Sequence, residues 1–507
     1  MNKILLTILI LWASAFNFLF AKPSNKSLTA SVETKQATLD CAKTVYSLPN
    51  IRFMQKVKCS IPTAKITVSH LPKGLKWYEK RNIVVGKIRK EGIYTYQIKM
   101  NYAGHISTEN VTLTVSKHLQ LPTPFMGWLS WNSVEADVSE DIVKQTVKLF
   151  KDKGLYQCGW NYIMLDDWWH AKSRNADGTP RADNTRFPHG IAPIAAYVHS
   201  EGMKFGLYTD VAEHTCAGAF GSYNYETVDA KAYANWKVDI VKCDYCNAPT
   251  DKQTAKMRYK KLSDAIKAAG YGTTLYICEW GDRQPWKWGA EAGGRCWRVS
   301  HDVRDCWTGK PGGIGVVQSI RDMKKHAAYQ GVNRFNDADM LCTGLHGTGK
   351  SSSDLCGGKG AGMTQDEYRT QFALWCMWSS PMALSFDPRS NTLTEDDYKI
   401  LTNKDLIALN QDSMGQQADL ISEDNNMIVF AKDCENGDVA ISVTNMTDTT
   451  KSFTFDFSKI PALSIAKLYR VKDLWNSKLL PRKIKGQLPI TVRSHATQVF
   501  RLSCTAK

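Results

Sequence analysis

Apolar and polar residues alternate along both ends of this 507-residue chain, with the two-residue period of strands that bury one face. The runs with this period are Ile66–Ser69, Gly92–Ile98 and Asn110–Val115 near the amino end, and Met427–Ala431, Asp438–Val443 and Ala496–Leu502 near the carboxyl end. Residues 22–120 are therefore predicted to form a small antiparallel β-sandwich, and residues 413–507 a second antiparallel β domain.

Residues 121–412 follow a different pattern, in which apolar runs alternate about eight times with segments of helical periodicity. The runs are Phe125–Asn132, Tyr162–Asp167, Lys204–Asp210, Val238–Asp244, Thr273–Trp280, Cys296–Asp302, Val332–Met340 and Ser380–Asp387. The spacing predicts helices over Glu140–Lys153, capped by Ser139, and over Tyr259–Ala269, before Gly270. These strand–helix units predict an α/β fold, the (β/α)8 TIM barrel, with its active site at the carboxyl ends of the strands.

Acidic and aromatic side chains gather at these predicted strand ends, together with one lysine and one arginine. They are Trp131, Asp166, Asp167, Tyr208, Asp210, Lys242, Asp244, Glu279, Trp280, Arg298, Asp302, Asp337 and Asp339. Carboxylates accept hydrogen bonds from vicinal hydroxyls, and aromatic rings cover the C–H face of a sugar. A single Asp at a strand end is more often a helix cap, and Arg298 alone is more often a salt-bridge partner. The joint pattern on six strands favours a site for a neutral sugar.

Asp244 and Asp302 are the two carboxylates predicted to carry out the chemistry. Asp244 closes the fourth run beside Lys242, and Asp302 closes the sixth run after Arg298. A glycosidase uses one carboxyl group as nucleophile and another as acid/base. Lys242 should keep a nucleophile at Asp244 ionised. The negative charge of Asp244 should in turn raise the pKa of Asp302, the predicted acid.

Composition narrows the class of function and the compartment. The net charge of +16 and pI near 9.1 permit nucleic-acid binding, but the Lys and Arg residues are scattered without a basic arm, so nucleic acid is not a predicted partner. Residues 1–21 have the positive start and apolar run of a secretory signal peptide. They predict a secreted or periplasmic protein with no membrane span in the mature chain; an uncleaved membrane anchor is the alternative.

Export makes most of the 14 cysteines candidates for disulfides, although spacing alone does not give their pairing. Cys243-Asp244-Tyr245-Cys246 also has a C-x-x-C spacing used by metal sites, but it lacks a second pair or a histidine cluster. Neither a metal nor another cofactor is predicted.

A competing motif lies near the end of the barrel region. Gly344–Ser351 satisfies the G-x-x-x-x-G-K-S phosphate-loop pattern in full. Such a loop works only between a strand and a helix, whose amino end holds the phosphates. The residues that follow, Ser352–Gly358, do not have a helical pattern, so nucleotide hydrolysis is not predicted.

Five motifs of the central region together resemble the α-galactosidases of glycoside hydrolase family 27. They are Met126–Asn132 (MGWLSWN), Asp166–Trp169 (DDWW), Lys242–Asp244 (KCD), Cys278–Trp280 (CEW) and Trp297–Asp302 (WRxxxD). Their order and spacing match the family from Pro122 to about Asp387, over half the chain, and a C-terminal β domain fits it too. The resemblance implies a retaining, exo-acting α-galactosidase that acts on α-galactosides without a cofactor.

The resemblance also implies a role for each residue. Asp244 would attack the anomeric carbon, and Asp302 would protonate the leaving oxygen and later deprotonate water. The implied sugar contacts are Asp166 and Asp167 to the 4- and 6-hydroxyls, Lys242 to the 3- and 4-hydroxyls, Glu279 and Arg298 to the 2-hydroxyl region, Trp131 and Tyr208 along the ring, Trp280 beside Glu279, and Asp339 at the closed end. Cys216 and Cys246 match a family disulfide next to the nucleophile, and Cys278 with Cys296 is a candidate second.

Three alternatives stay open. Relatives that accept N-acetylgalactosamine carry small residues where Glu279 stands, so Glu279 favours a free 2-hydroxyl. Relatives that prefer β-L-arabinopyranosides depart at the paired aspartates, which this chain keeps. A secreted lectin-like protein would bind galactosides without cleaving them, but it would not need both catalytic carboxylates.

Parts of the chain depart from the family pattern. Cys243 replaces the usual aromatic residue, and the stretches Asp282–Gly294 and Cys342–Met363 differ, so the leaving group of the substrate stays open. Residues 22–120 lie outside the match and look like the Ig-like modules found ahead of some bacterial relatives.

Overall fold

The computed structural model describes residues 37–310, 313–348 and 362–504. The predicted signal peptide and the end of the phosphate-loop pattern, residues 349–351, lie outside these ranges. Within the ranges, every helix is too short or too polar to cross a membrane.

The amino-terminal domain is built from short strands. Within residues 38–121, all described, the strands are β1 (Leu39–Asp40), β2 (Thr44–Ser47), β3 (Arg52–Lys56), β4 (Lys58–Cys59), β5 (Lys65–Ser69), β6 (Leu75–Tyr78), β7 (Ile83–Lys87), β8 (Gly92–Tyr102) and β9 (His105–Val115). One sheet has the order β2-β9-β8-β5, a second has the order β3-β7-β6, and β1 pairs with β4. Val45, Val84, Ile98 and Leu113 from both sheets are fully buried in one core.

One strand pair in this domain differs from the prediction. The sheet pairs are antiparallel except for β2 and β9, which run parallel. Parallel neighbours need a long connection, and most of the domain lies between these two strands. The predicted wholly antiparallel sandwich is therefore corrected at this edge.

The central region forms a barrel of parallel strands. In its described part the strands are β10 (Met126–Leu129), β11 (Tyr162–Met164), β12 (Lys204–Asp210), β13 (Ile240–Asp244), β14 (Thr274–Ile277), β15 (Gly294–Arg298), β16 (Phe335–Asp337) and β17 (Met382–Leu384). Each strand from β10 to β15 pairs in parallel with the next, and β17 pairs in parallel with β10. A parallel bridge from Leu341, just after β16, to Leu384 closes the cylinder. The predicted (β/α)8 barrel is confirmed.

Helices lie between these strands in the chain, and two more come after the last strand. Those of the described part are α1 (Trp131–Val134), α2 (Glu140–Asp152), α3 (Ile191–Ser200), α4 (Glu226–Asn235), α5 (Lys252–Ala269), α6 (Pro285–Trp288), α7 (Val316–Met323), α8 (Gln365–Trp378) and, after β17, α9 (Glu395–Leu401) and α10 (Lys404–Asn410). Ser139 caps α2 by accepting a hydrogen bond from the Ile142 N–H, as predicted. Helix α5 begins seven residues before the predicted Tyr259, because Asp251 caps it through the Thr254 N–H.

The carboxyl-terminal domain is again a set of antiparallel strands. Its strands, over the described residues to Cys504, are β18 (Asp419–Asp424), β19 (Met427–Asp433), β20 (Val439–Asn445), β21 (Lys451–Asp456), β22 (Leu468–Asp473), β23 (Lys478–Leu479), β24 (Ile484–Lys485), β25 (Gln487–Val492) and β26 (Thr497–Cys504). The main sheet has the order β18-β19-β20-β26-β22-β23, and β21 pairs with β25.

Ion pairs join the two β domains. Lys56 Nζ lies 2.7 Å from Asp419, and Lys87 Nζ lies 2.9 Å from Glu435. Arg81 forms a bidentate ion pair with the Asp433 carboxylate. Basic residues of the amino-terminal domain thus contact acidic residues of the carboxyl-terminal domain.

Candidate active site

Asp244 is the last residue of β13 and lies buried at the carboxyl end of the barrel. Tyr208 donates its hydroxyl hydrogen to Asp244 Oδ2 at 2.9 Å, and the Cys216 sulfur lies 3.2 Å from the same oxygen. Lys242 Nζ is 3.8 Å from Oδ1, which is too long for a hydrogen bond. Oδ2 is therefore held firmly, while Oδ1 interacts with Lys242 mainly through charge.

Lys242 links Asp244 to the aspartate pair that follows β11. Its Nζ donates to Asp166 Oδ2 at 2.7 Å. Asp166 Oδ1 accepts the Asp167 N–H at 2.8 Å, and the Asp166 N–H donates to Ser130 Oγ at 2.9 Å. Burial lowers the pKa of Lys242, but the carboxylates of Asp166 and Asp244 raise it well above its usual value. Lys242 is therefore a fixed cation shared between two carboxylates.

Asp302 does not lie at a strand end, as the sequence predicted, but in the loop four residues after β15. The ladder with β16 ends at the pair Arg298–Asp337. The Asp302 side chain remains 35% exposed. Arg298 Nη2 donates to its Oδ1 at 3.3 Å, and Arg304 Nη2 donates to its Oδ2 at 3.5 Å. Two guanidinium groups therefore hold this carboxylate.

Cys278 and Asp339 complete the connection between the two carboxylates. The Cys278 sulfur lies 3.8 Å from Arg298 Nη1, and its thiol hydrogen bond helps to stabilise ionised Asp244. Arg298 Nη1 also lies 2.8 Å from Asp339 Oδ1. The charges of Asp244 and Asp302 interact with each other as well. The structure therefore brings both predicted catalytic residues into one site.

The pKa order of the two carboxyl groups is opposite to the one predicted from sequence. Burial raises the pKa of Asp244 to about 6, with Lys242 opposing and Asp166 adding to the rise. Burial raises the pKa of Asp302 as well, but the charges of Arg298, Arg304 and Lys242 outweigh it and lower the pKa below its usual value. The reversal arises because Lys242 lies closer to Asp166 than to Asp244, whereas Asp302 has two arginines.

Glu279 is held within its own loop. The side chain is fully buried, and its Oε2 accepts hydrogen bonds from the Arg283 N–H at 2.8 Å and from Arg283 Nη1 at 3.1 Å. Burial raises the pKa of Glu279 to about 7. Its hydrogen bonds run to Arg283, and none of those in the described residues connects it to Arg298.

Trp131, Trp280 and Asp339 each follow the end of a barrel strand within three residues. Trp131 begins α1 and is partly buried. Trp168, Trp280 and Asp339 have φ values of 70°, 57° and 78°. Non-glycine residues adopt this left-handed region at an energetic cost, and such residues cluster at functional sites.

The loops beside Asp244 are joined by cysteine and aspartate. The Cys216 and Cys246 sulfurs are at disulfide-bonding distance, with Cα atoms 5.1 Å apart. Asp210 accepts the Ala212 N–H through Oδ1 and the Cys246 N–H through Oδ2, each at 2.8 Å. Asp210 and the two sulfurs lie close enough together to suggest a metal site. Because the sulfurs contact each other and both carboxylate oxygens are occupied, the cluster does not offer metal ligands.

The second implied disulfide, between Cys278 and Cys296, is wrong, because the structure keeps both residues as separate buried thiols. The strand register pairs Cys296 with Tyr276. Cys278 lies two residues after Tyr276, just past the end of β14 and about 7 Å farther along the chain direction, and the separation between neighbouring strands adds to this distance. A disulfide needs Cα atoms within about 7 Å of each other.

The expectation that most cysteines pair is also wrong for other core positions. Buried thiols of the described residues include Cys41, Cys243, Cys376 and Cys434. Burial raises the pKa of the Cys41 thiol to about 12. Such cysteines behave as small apolar side chains.

Arg304 belongs to the site but was missed by the sequence reasoning. Arg304 is buried, and besides Asp302 it contacts Asn132 Oδ1 through Nη1 at 3.3 Å. The sequence did contain a signal for this role, since Arg304 is a second cation only two residues after Asp302. Asp337, one of the predicted strand-end carboxylates, supports the site by accepting hydrogen bonds from the Tyr276 hydroxyl and the Asp339 N–H.

Comparisons with known proteins place this geometry in a family. Residues 123–412 match the family model described as alpha galactosidase A, and residues 424–502 match the alpha galactosidase C-terminal beta sandwich domain. Alpha-galactosidase A of Cellvibrio japonicus is 33% identical over 409 residues, which are 78% of this chain and 95% of that protein. Alpha-galactosidase of Oryza sativa subsp. japonica is 32% identical over 383 residues, 75% of this chain and 85% of its own.

Solved structures agree with this match. Alpha-galactosidase I of Mortierella vinacea aligns with a TM-score of 0.70 at 28% identity, covering 77% of this chain and 100% of its own. A Bacteroides fragilis protein, provisionally described as an alpha-galactosidase, aligns with a TM-score of 0.72 at 32% identity over 93% of this chain and 98% of its own. Since the alpha galactosidase A family model matches more than half of the residues of this chain, the chain belongs to the alpha galactosidase A family, within glycoside hydrolase family 27.

Proposed function

We propose that the protein is a retaining, exo-acting α-galactosidase that removes terminal α-linked D-galactose from oligo- or polysaccharides. The observation that carries the proposal is the charged network around Asp244 and Asp302 at the carboxyl end of the barrel. Tyr208 and Lys242 hold the first carboxylate, and Arg298 and Arg304 hold the second. The curated relatives described above are named alpha-galactosidases.

The proposed reaction proceeds in two displacements. An oxygen of Asp244 attacks the anomeric carbon from the β face, while Asp302 gives its proton to the glycosidic oxygen. That oxygen keeps the electron pair of the broken bond and leaves with the aglycone. Asp302, now ionised, then takes a proton from water, whose oxygen attacks the same carbon and releases the Asp244 carboxylate. The Tyr208 hydroxyl holds Oδ2 and accommodates its changing charge through both steps.

The proposed choice of sugar rests on the residues around Lys242. Asp166 and Lys242 form a rigid polar pair, which suits adjacent 3- and 4-hydroxyls, and Asp167 follows directly for the 6-hydroxyl. Both aspartates are present, which disfavours a β-L-arabinopyranosidase. The fully buried Glu279 carboxyl disfavours an acetamide at C2, and two catalytic carboxylates disfavour a galactoside-binding protein without activity.

We also propose that the protein works outside the cytoplasm after loss of residues 1–21. An oxidising compartment would allow the Cys216–Cys246 disulfide to form. The amino-terminal domain would be an Ig-like module, a proposal supported by its sheets of four and three strands around one core.

The direct test is hydrolysis of p-nitrophenyl α-D-galactopyranoside by the wild-type protein, followed by proton NMR. We expect nitrophenolate release, with α-galactose as the first sugar product. The α-N-acetylgalactosaminide and β-L-arabinopyranoside analogues should react at least about 100-fold more slowly. Absence of release from the galactoside would contradict the proposed activity, and β-galactose as first product would contradict retention.

The pH dependence should have its optimum on the acid side of neutrality. Catalysis needs Asp244 ionised and Asp302 protonated. The pKa of Asp244 is about 6, and that of Asp302 is below its usual value. When the two carboxyl groups share one proton, the proton is therefore mostly on Asp244, and the active form with the proton on Asp302 is the minor one. Its population is greatest between the two pKa values. We expect kcat/KM to peak between about pH 4 and 6 and to fall about tenfold per pH unit above the upper limb.

The variant Arg304→Gln tests the electrostatic basis of this profile. Removing the cation raises the pKa of Asp302, so the acidic limb should move upward by about 0.5–1 pH unit. Glutamine can still donate to Asn132, which limits structural change. The upper limb should stay in place because it reports Asp244. A shift of the upper limb alone would instead assign the higher pKa to Asp302.

A further inference from the structure

The positive charge of the chain is concentrated in the amino-terminal domain. Residues 38–121 contain 14 Lys and Arg against four Asp and Glu, so this sixth of the chain carries +10 of the total +16. Most of the net positive charge therefore belongs to one small folded domain. A domain of this composition raises the local concentration of anionic partners.

Part of this charge is neutralised within the protein. Lys56, Arg81 and Lys87 pair with Asp419, Asp433 and Glu435 of the carboxyl-terminal domain. These pairs explain why some of the basic residues are present. The remaining exposed cations need a different explanation.

Three of the remaining cations border one groove. The groove has a volume of about 930 Å³, and its lining includes Lys73, Arg89 and Lys90 together with Lys87, Asn50 and Tyr94. Lys73, Arg89 and Lys90 are exposed, and none of them has a side-chain hydrogen bond or ion pair to another described residue. The neighbouring Glu91 is engaged elsewhere, with Ser116 and Lys117. The groove therefore presents uncompensated positive charge.

Tyr94 gives the groove an aromatic element held in place. Its ring is half-buried and packs against the domain core, and its hydroxyl donates to the Lys90 carbonyl at 3.0 Å. A tyrosine fixed in this way loses little conformational entropy when a ligand stacks on it. Cations beside a fixed aromatic ring are suited to a ligand that carries both anionic groups and apolar C–H faces.

We propose that this groove binds an anionic polysaccharide, one whose sugar rings carry carboxylate or sulfate groups. The cations bind those groups, and Tyr94 contacts the C–H face of a sugar ring. The choice of a polysaccharide over other polyanions rests on the proposed function, because the barrel beside this domain acts on galactosides. The groove would then keep the enzyme on a charged glycan while the barrel removes galactose branches.

The test measures binding of the full-length protein to polygalacturonate by isothermal titration calorimetry. The variant Lys73→Ala/Arg89→Ala/Lys90→Ala should weaken binding at least tenfold. The matched control is Lys65→Ala/Lys76→Ala/Lys99→Ala, which removes the same charge from exposed positions of the same domain outside the groove. The control should change the affinity less than threefold. An equal loss in both variants would overturn the proposal, since binding would then reflect net charge alone.

Two further arms separate the possible failures. Single-stranded DNA should bind at least tenfold more weakly than polygalacturonate at equal salt; equal binding would show a site for polyanions in general and overturn the proposal. Hydrolysis of p-nitrophenyl α-galactoside should be unchanged in the groove variant, whose residues lie outside the barrel. If the wild-type protein hydrolyses the galactoside but does not bind polygalacturonate, only the groove proposal is contradicted. If the wild-type protein does not hydrolyse the galactoside, only the proposed activity is contradicted.

Discussion

Asp244→Ala is expected to lower kcat/KM for p-nitrophenyl α-galactoside by a factor on the order of 10⁴ or more. The substitution removes the oxygen that forms the covalent intermediate and leaves a small cavity beside Tyr208 and Lys242. Azide can occupy such a cavity and attack the anomeric carbon from the β face. Added azide should therefore restore part of the nitrophenolate release, and the product should be β-galactosyl azide, identified by NMR.

A matched variant distinguishes loss of the nucleophile from general disturbance of the site. Asp210 lies directly opposite Asp244 in the β12–β13 register, and its carboxylate holds only backbone N–H groups of the adjoining loops. Asp210→Ala should lower activity by disturbing these loops, but azide should not restore it, and no galactosyl azide should form. Rescue in both variants would show that Asp244 is not the nucleophile.

The barrel was predictable because its strands are covered on both faces. Parallel strands buried on both sides appear in the sequence as continuous apolar runs. Seven of the eight predicted runs contain an observed strand, and the eighth, Cys296–Asp302, overlaps β15. Helix boundaries followed from local capping, as at Ser139. The parallel pairing of β2 with β9 was not predictable, because an edge strand carries no local signal of the direction of its distant partner.

The composition of the site was predictable, but its electrostatics were not. Lys242 is two residues from Asp244 in the chain, yet its closest carboxylate is Asp166 on another strand. Arg304 follows Asp302 after a single residue, but only the folded loop turns both side chains toward each other. Sequence proximity therefore identified which charges are present, whereas the order of the pKa values depends on distances through space.

The strand register explains why the predicted disulfide between Cys278 and Cys296 is wrong. Cys296 lies on β15, and Cys278 directly follows the neighbouring strand β14, which made a disulfide reasonable from their order in the chain. The parallel ladder displaces them by two residues, and a one-residue or two-residue displacement is not visible in an apolar run. Cys278 instead lies between Arg298 and the nucleophile.

Asp302→Ala should lower the rate by an amount that depends on the leaving group. Loss of general acid catalysis costs about 10²–10⁴-fold where the departing oxygen needs a proton, as in a galactosyl disaccharide. A 2,4-dinitrophenolate leaves without a proton, so its galactoside should lose less than about tenfold in the first step. Azide should now attack the glycosyl-enzyme on Asp244 and give α-galactosyl azide, the opposite anomer from that expected with Asp244→Ala.

The pH dependence of Asp302→Ala provides a second, independent test of the role of Asp302. With the dinitrophenyl substrate, Asp302→Ala needs no proton donor, so activity should rise as Asp244 ionises and then stay level, without the fall above pH 6. Because the negative charge of Asp302 raises the pKa of Asp244, its removal should also move the remaining limb below about pH 6. Asp282→Ala, which removes a half-exposed carboxylate paired with His301, should keep the bell shape and show no dependence on the leaving group. A bell-shaped profile in Asp302→Ala would place the proton donor on another residue.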